Sequence, residues 1–384
     1  MLSAGKLKAR TDKIRAAGPE SWNESGIAGL KIGWETAEIA TMQKLKILKW
    51  LGMLFLGAVL AVSVWAAVTM KRYAGTPGTG PDHQVIFAIA PGETFDALTT
   101  RLETEGVIAN PVKFKILARI KGDDKKLKAG EFLLSSTMTP NQILDVMVNG
   151  KSYLYRLTIP EGFTARQIAA EIAAQGLGNA DAFMELVNDA HTAADLGIEA
   201  QTLEGYLFPD TYYFPKGVSP MTIVQKMVNR FKEEFRPQWY ERAREIKFTV
   251  HQIVTLASII EKETGAAAER PVISSVFHNR LRRHMRLESD PTVIYGIKEF
   301  DGNIKRSHLS TPTPYNTYTI RGLPPGPIAS PGRSSIEAAL YPAQTKYLFF
   351  VSKKDHTHYF SETIAEHNKA VRKYQLRRRS KPKS

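Results

Sequence analysis

Residues 50–70, WLGMLFLGAVLAVSVWAAVTM, carry no charged side chain over 21 positions. A helix of that length and polarity crosses the hydrocarbon layer of a bilayer, and it is the feature around which the rest of the chain has to be arranged. Lys44, Lys46 and Lys49 precede it and Lys71 and Arg72 follow it, while the N-terminal arm adds further basic residues. This excess of positive charge places the N-terminus in the cytoplasm and everything beyond about residue 71 outside. The apolar core is longer than the h-region of a cleavable signal peptide, so an anchor is expected rather than a leader.

Six segments follow: a cytoplasmic arm (1–49), a transmembrane helix (50–70), a linker (71–84), a small module (85–157), a larger mixed α/β domain (158–374) and a basic tail (375–384). The fold class is α+β. The linker contains YAGTPGTGPDHQ, whose Gly and Pro residues and lack of apolar periodicity suit a spacer between lipid and domain. There are 52 Lys and Arg against 38 Asp and Glu, a net charge of +14. That charge asks for an anionic neighbour such as nucleic acid, acidic lipid or a charged polymer. The outward placement argues against a cytosolic nucleic-acid role. The chain has no cysteine, which excludes disulfides, zinc thiolate sites and cysteine nucleophiles.

Beyond the linker, VIFAIAPGETFDALTTRLETEGVI reads as strand, Pro-Gly turn and a helix opened near Thr94. The same order returns in YRLTIPEGFTARQIAAEIAAQGL, with Thr164 as N-cap and Gly176 as stop. Between them PVKFKILARI predicts a helix, KAGEFLLS a strand and TPNQILDVMVNG a helix. This β, α, α, β layout resembles the LysM-like modules that bind glycan chains in bacterial walls; a plain α+β spacer fits the layout too.

LEGYLFPDTYYF sets Glu204 and Asp210 among aromatic rings, Tyr206 included. Aromatic faces beside carboxylates suit sugars, whose rings offer C–H faces and hydroxyl edges, although the same rings could simply fill a core. TVHQIVTLASIIEKETG predicts a helix in which Ile253, Leu256, Ile259 and Ile260 define the buried arc. Glu261 and Glu263 fall at its two edges and Lys262 points away. A carboxyl at the border of an apolar surface loses solvation and is expected to hold its proton to higher pH, as a general acid must. ERPVISSVFHNRLRRHMRLESDPTVIYG predicts a helix from near Pro271 to His284 and a turn at Asp290 and Pro291. TPYNTYTIRGLPPGPIASPG is a loop stiffened by Pro and Gly. The C-terminal part reads as helix, strand, turn, strand, helix. His356 and His358 are spaced for one face of a strand and His367 lies further on, but no convincing third ligand stands near them, so neither a metal nor a cofactor is expected.

The strings LEGYLFPDTY, ASIIEKET, VISSVFHNRL, SDPTVIYG, PYNTYTIRGLPPGPI and FSETIAEHNKAV, in this order, resemble the endolytic murein transglycosylase family, the MltG or YceG-like proteins. The resemblance runs from the membrane segment to about Tyr374. It implies an inner-membrane protein that faces outward and cuts nascent peptidoglycan strands between N-acetylmuramic acid and N-acetylglucosamine. The new end is 1,6-anhydro-muramic acid, glycan elongation is terminated, and penicillin-binding synthases of the elongation or division machinery are the implied neighbours. The first acid of the EKET-type string, Glu261, is the implied catalytic residue, serving as acid and then as base, so no second carboxylate is required. Glu204, Tyr206, Asp210, Glu263, Asp290, Asn316 and Tyr318 are candidates for shaping or contacting the sugar groove. Glu263 is also a candidate ion-pair partner of Arg270. Two departures stand out: Glu288 before the SDPT turn, and ASPG where the family more often has NPG. A non-catalytic wall-binding scaffold and a hydrolase that adds water are the competing readings.

Overall fold

The computed structural model describes residues 24–78, 81–297 and 299–375, with side chains from residue 39 onward in the first helix. The basic tail from residue 376 and the arm before residue 24 lie outside the described residues. Helix α1, Glu24–Gly75, contains one segment long and apolar enough to cross a membrane, Ile39–Gly75. It continues past the sequence-based boundary at residue 70, and Ala74 near its end is buried.

Contacts divide the chain into two compact units. The first comprises the described residues up to Val85 together with Thr94–Leu127 and Leu134–Asn149. The second comprises Ile86–Glu93, Lys128–Leu133 and the chain from Gly150 onward. Strand β1 (Gln84–Ile89) pairs with β2 (Gly130–Ser135). Helices α2 (Phe95–Thr104), α3 (Pro111–Lys121) and α4 (Pro140–Asn149) complete the expected β, α, α, β, α order. Thr94 caps α2 by accepting from Ala97 N–H, and Asn110 caps α3 by accepting from Lys113 N–H. Leu98, Leu102, Phe114, Leu117, Ile143, Leu144 and Met147 are the buried apolar residues of these helices. The segment before β1 is fastened to the same unit: Ser136 Oγ donates to Pro81 O and accepts from His83 N–H.

In the second unit β3 (Tyr155–Thr158) runs antiparallel to β4 (Thr211–Phe214), with Tyr155 opposite Phe214. Between them lie α5 (Ala165–Ala174), α6 (Ala180–Asn188) and α7 (Ala190–Asp195). Then come α8 (Pro220–Glu234), α9 (Pro237–Glu245), α10 (Val250–Glu263) and α11 (Arg270–Arg282). Short helices α12 (Asp290–Tyr295) and α13 (Arg306–Ser310) precede α14 (Arg333–Leu340). The chain closes with an antiparallel pair, β5 (Phe349–Ser352) and β6 (His358–Ser361), and α15 (Ile364–Tyr374). The outcome is a mixed fold of helices and strands, with the strands confined to three two-stranded sheets among the described residues.

Helix α10 is the axis of this unit. Thr249 and Gln252 form a reciprocal capping box that starts it, and every residue from Ile253 to Ile260 is buried. Its apolar arc packs with α14 and with side chains of α5 and α8 in one core. Gly205, at φ +84, lets the 203–210 loop pass so close to Pro327 that a Cβ there would overlap the proline ring. At residues 290–291 the structure differs from the expected turn. Ser289 is extended and Pro291 falls in the first turn of α12, where its preset φ starts a helix.

Candidate active site

Helix α10 ends with its last turn at the surface, and there Glu261 meets three other pieces of chain. Its side chain is only 6% exposed. Arg270, the first residue of α11, brings Nη2 to 3.2 Å from Glu261 Oε1. The main-chain N–H of Gly332, the N-cap of α14, donates to Glu261 Oε2 at 3.0 Å. Both carboxylate oxygens therefore accept from donors that complement negative charge.

A second carboxyl enters from the loop between β3 and α5. Glu161 Oε2 lies 3.7 Å from the same Arg270 nitrogen. The Glu161 side chain is 48% exposed, so water screens it more than it screens Glu261. Burial, then the charge of Glu261, hold Glu161 above the usual carboxylate range, and Arg270 works against both. The loop carrying Glu161 is pinned on both sides. Gly162 N–H donates to Ser330 O at 2.8 Å and Ser330 N–H donates to Phe163 O at 2.8 Å. Lys262 Nζ donates to Gly162 O at 3.2 Å, so this exposed lysine turns back to fasten the loop beside Glu261. Gly332 packs so tightly on Glu161 that a Cβ at this position would collide with the carboxyl. Further along the same loop Ile328 N–H donates to Ser258 Oγ at 3.0 Å, tying residues 328–332 to the body of α10.

Arg270 is 11% exposed by side chain, and its Nε is buried with no hydrogen-bond partner among the described residues. The pairing of Arg270 with Glu263 expected from sequence is replaced by its contacts to Glu261 and Glu161. Glu263 instead accepts from Ser289 Oγ. Burial pushes it up to about 7, with the nearby Asp290 charge adding to the rise and the Ser289 hydroxyl opposing it. The two acids of the EKET string thus occupy different surroundings: one in a cationic grip, one enclosed against a hydroxyl.

The other sequence candidates are distributed over the same unit. Glu204 is buried and accepts from Ala165 N–H at the start of α5 and from Tyr295 Oη at 3.2 Å. Burial raises it to about 7, against the pull of those donors. It braces the helix that follows the Glu161 loop. Tyr206 is buried and donates to His251 Nδ1 at 2.9 Å, while His251 Nε2 donates to Pro325 O at 2.8 Å. Both line a cavity of about 790 Å³ at the opposite end of α10, and neither Glu161, Glu261 nor Arg270 lines it. Ten residues of helix, about 15 Å, separate His251 from Glu261. Asp210 pairs with Arg230 at 2.6 Å. Asp290 accepts from Tyr318 Oη at 2.7 Å, which brings those two candidates together beside Ser289. Asn316 is buried, its amide donating to the carbonyls of His308, Leu309 and Thr311 and accepting from Tyr318 N–H. Those bonds shape the 308–318 loop.

His358 Nδ1 donates to Glu269 Oε2 at 2.7 Å, and His356 sits in the turn before β6 at φ +66. Among the described residues no group of three His, Cys, Asp or Glu side chains converges as metal ligands do.

Glu161 is the residue the sequence reading passed over. The sequence presents IPEG as a turn before the Thr164 cap, and an acid beside a glycine in that turn is its only signal. Two carboxyls sharing one guanidinium at the end of a buried helix form a site suited to moving protons between substrate oxygens.

The chain belongs to the YceG-like family, which it matches over residues 87–373. The endolytic murein transglycosylase of Bacillus subtilis is 33% identical over 301 residues, which are 74% of this chain and 83% of that one. The protein of the same name from Streptococcus pneumoniae serotype 2 is 28% identical over 320 residues, 75% of this chain but 58% of the pneumococcal one. A crystal structure of a yceG-like protein from Listeria monocytogenes aligns with a TM-score of 0.53 at 37% identity, covering 74% of this chain and 98% of that chain.

Proposed function

We propose that this chain is a membrane-anchored endolytic murein transglycosylase that cuts glycan strands between N-acetylmuramic acid and N-acetylglucosamine, with Glu261 as its acid and base. The observation that carries the reading is the nearly enclosed carboxyl of Glu261, gripped by Arg270 and Gly332 N–H with Glu161 on the same guanidinium.

The chemistry needs one proton delivered and one removed. The carboxyl donates to the glycosidic oxygen as the bond from muramic C1 breaks. The muramic C6 hydroxyl then closes on C1, and its proton returns to the carboxylate. One C–O bond is exchanged for another and no water is consumed, so the reaction is a lyase reaction. Of the two acids on this arginine, Glu161 is the one held above the usual carboxylate range, by burial and then by the Glu261 charge. The N-terminal apolar helix supports an anchor, with the N-terminus cytoplasmic and the catalytic unit outside. Residues 85–157, with their β, α, α, β order, are read as the module that holds glycan.

The test is mass spectrometry of products from uncross-linked peptidoglycan strands, beside a Glu261→Gln control. Internal cuts ending in anhydro-muramic acid that vanish in the control support the reading. Reducing ends would make the protein a hydrolase, and binding without cutting would make it a scaffold.

A further inference from the structure

Helix α3 carries an apolar stripe that nothing in its own unit covers. Val112, Ile116 and Ile120 are 64%, 42% and 69% exposed, and their i, i+4, i+8 spacing places them on one face. Outside α1 it is the one place among the described residues where three large exposed apolar side chains line up along a helix. The opposite face, Phe114, Leu117 and Ala118, is buried in the unit's core. Lys113, Lys115, Arg119 and Lys121 alternate with the stripe.

The position of this helix says what the stripe meets. Asn110, the N-cap of α3, accepts from Tyr73 Oη at 3.0 Å, and Lys113 Nζ lies 5.8 Å from the centre of the Tyr73 ring. Tyr73 is three residues beyond Met70, where the uncharged run ends, and it follows Lys71 and Arg72. An aromatic and two cations directly after an apolar span mark the level of the lipid headgroups. The N-terminus of α3 is fastened at that level.

We propose that α3 lies in the membrane interface, with Val112, Ile116 and Ile120 dipped into lipid and Lys113, Lys115 and Arg119 at the headgroups. The proposal rests on the reading of α1 as a membrane span. Short helices with an apolar stripe and basic flanks bind this way, their long cationic side chains reaching up to phosphate while the stems cover apolar surface. Of the four cations, Lys115 is held to Asp96 at 2.7 Å, and Lys121, on the side of the helix opposite the stripe, donates to Asn141 at 3.3 Å. Lipid is favoured over a protein partner because the stripe begins beside the end of the span, and because cationic side chains flanking an apolar stripe suit phosphate headgroups. The consequence is a unit held to the bilayer at two points, span and helix, instead of one raised on a spacer.

The chain has no cysteine, so single cysteines can carry an environment-sensitive fluorophore without competition. Full-length Ile116→Cys and Ile120→Cys variants, labelled and reconstituted in vesicles containing anionic lipid, are compared with Leu56→Cys inside the span and Glu103→Cys on the exposed side of α2. The expected result is a shift of emission to shorter wavelength at 116 and 120, with loss of most of the signal to a lipid-attached quencher. Labels that behave like the one at Glu103, while the one at Leu56 is quenched, would overturn the proposal and leave the anchor standing. A wavelength shift without lipid quenching would mean that a protein surface covers the stripe, and would also overturn it. An unquenched label at Leu56 would remove the anchor itself, and this inference with it.

Discussion

Glu261 and Arg270 meet across the turn between α10 and α11 at 3.2 Å, both with side chains almost withdrawn from water. A pair so placed cannot lose one member cheaply, because the other remains as a charge with little solvation. Replacing Arg270 by Ala is therefore expected to lower stability by about 3 to 5 kcal/mol. Glu261→Gln keeps the shape and removes the proton carrier. Its expected effect is a loss of cutting of about 10²- to 10⁴-fold, with a loss of stability smaller than that of Arg270→Ala because Glu161 stays beside the guanidinium. Denaturant unfolding of both variants, beside product assays, separates the two effects.

Glu161 is expected to act through the pair. Burial and the Glu261 charge hold Glu161 above the usual carboxylate range, so Glu161→Gln, which cannot ionise, should remove the limb of the kcat/KM profile that this titration sets. A role confined to folding the loop would lower activity at every pH and leave the limb in place. The pH profile is thus the measurement that decides, and Glu161→Asp should restore part of the limb if the charge matters more than its reach.

How far these relationships were legible follows from their range along the chain. Thr94 and Thr164 announce helices through local caps, and each is found accepting from the backbone N–H three residues on. The buried arc of α10 was equally readable, because 3.6-residue periodicity needs no knowledge of what packs against it. The partners of the acids were not. Glu261 is 9 positions from Arg270, 71 from Gly332 and about 100 from Glu161, and no local rule links residues so far apart. Proximity in sequence misassigned Arg270 to Glu263, and the aromatic setting of Glu204 and Tyr206 suggested a groove where the structure has buried bracing. Asn316 looked like a sugar contact, but its amide is used up by main chain.

Glu204 and Glu263 set a pH dependence of opposite sign to that of an ordinary acid-denatured protein. Burial lifts both from 4.5 to about 7. In that interval the folded chain holds protons that the unfolded chain has released, so stability falls as pH rises from about 4.5 to about 7 and levels off above. Each group contributes up to about 3 kcal/mol to that decline. The second unit is expected to melt at higher temperature at pH 5 than at pH 7.5. Glu204→Gln retains an oxygen for Ala165 N–H and cannot ionise, so it should remove about half of the difference, Glu263 keeping the rest. An unchanged slope in that variant would show that Glu204 is not among the groups responsible.

Gly332 is where space becomes function. Its N–H reaches Glu261 and its Cα leaves room for the Glu161 carboxyl, two tasks that a Cβ makes incompatible. The backbone at this residue has φ −75, which any residue adopts, so the requirement for glycine is one of room and not of conformation. Gly332→Ala should therefore change stability by only about 1 kcal/mol, in the ordinary range for point substitutions. The half-exposed Glu161 is the side chain able to move away. With Glu161 displaced, Gly332→Ala should reproduce the change in the pH profile expected for Glu161→Gln, and the double variant should add little to either. Full additivity of the two losses would mean that Gly332 supports Glu261 alone.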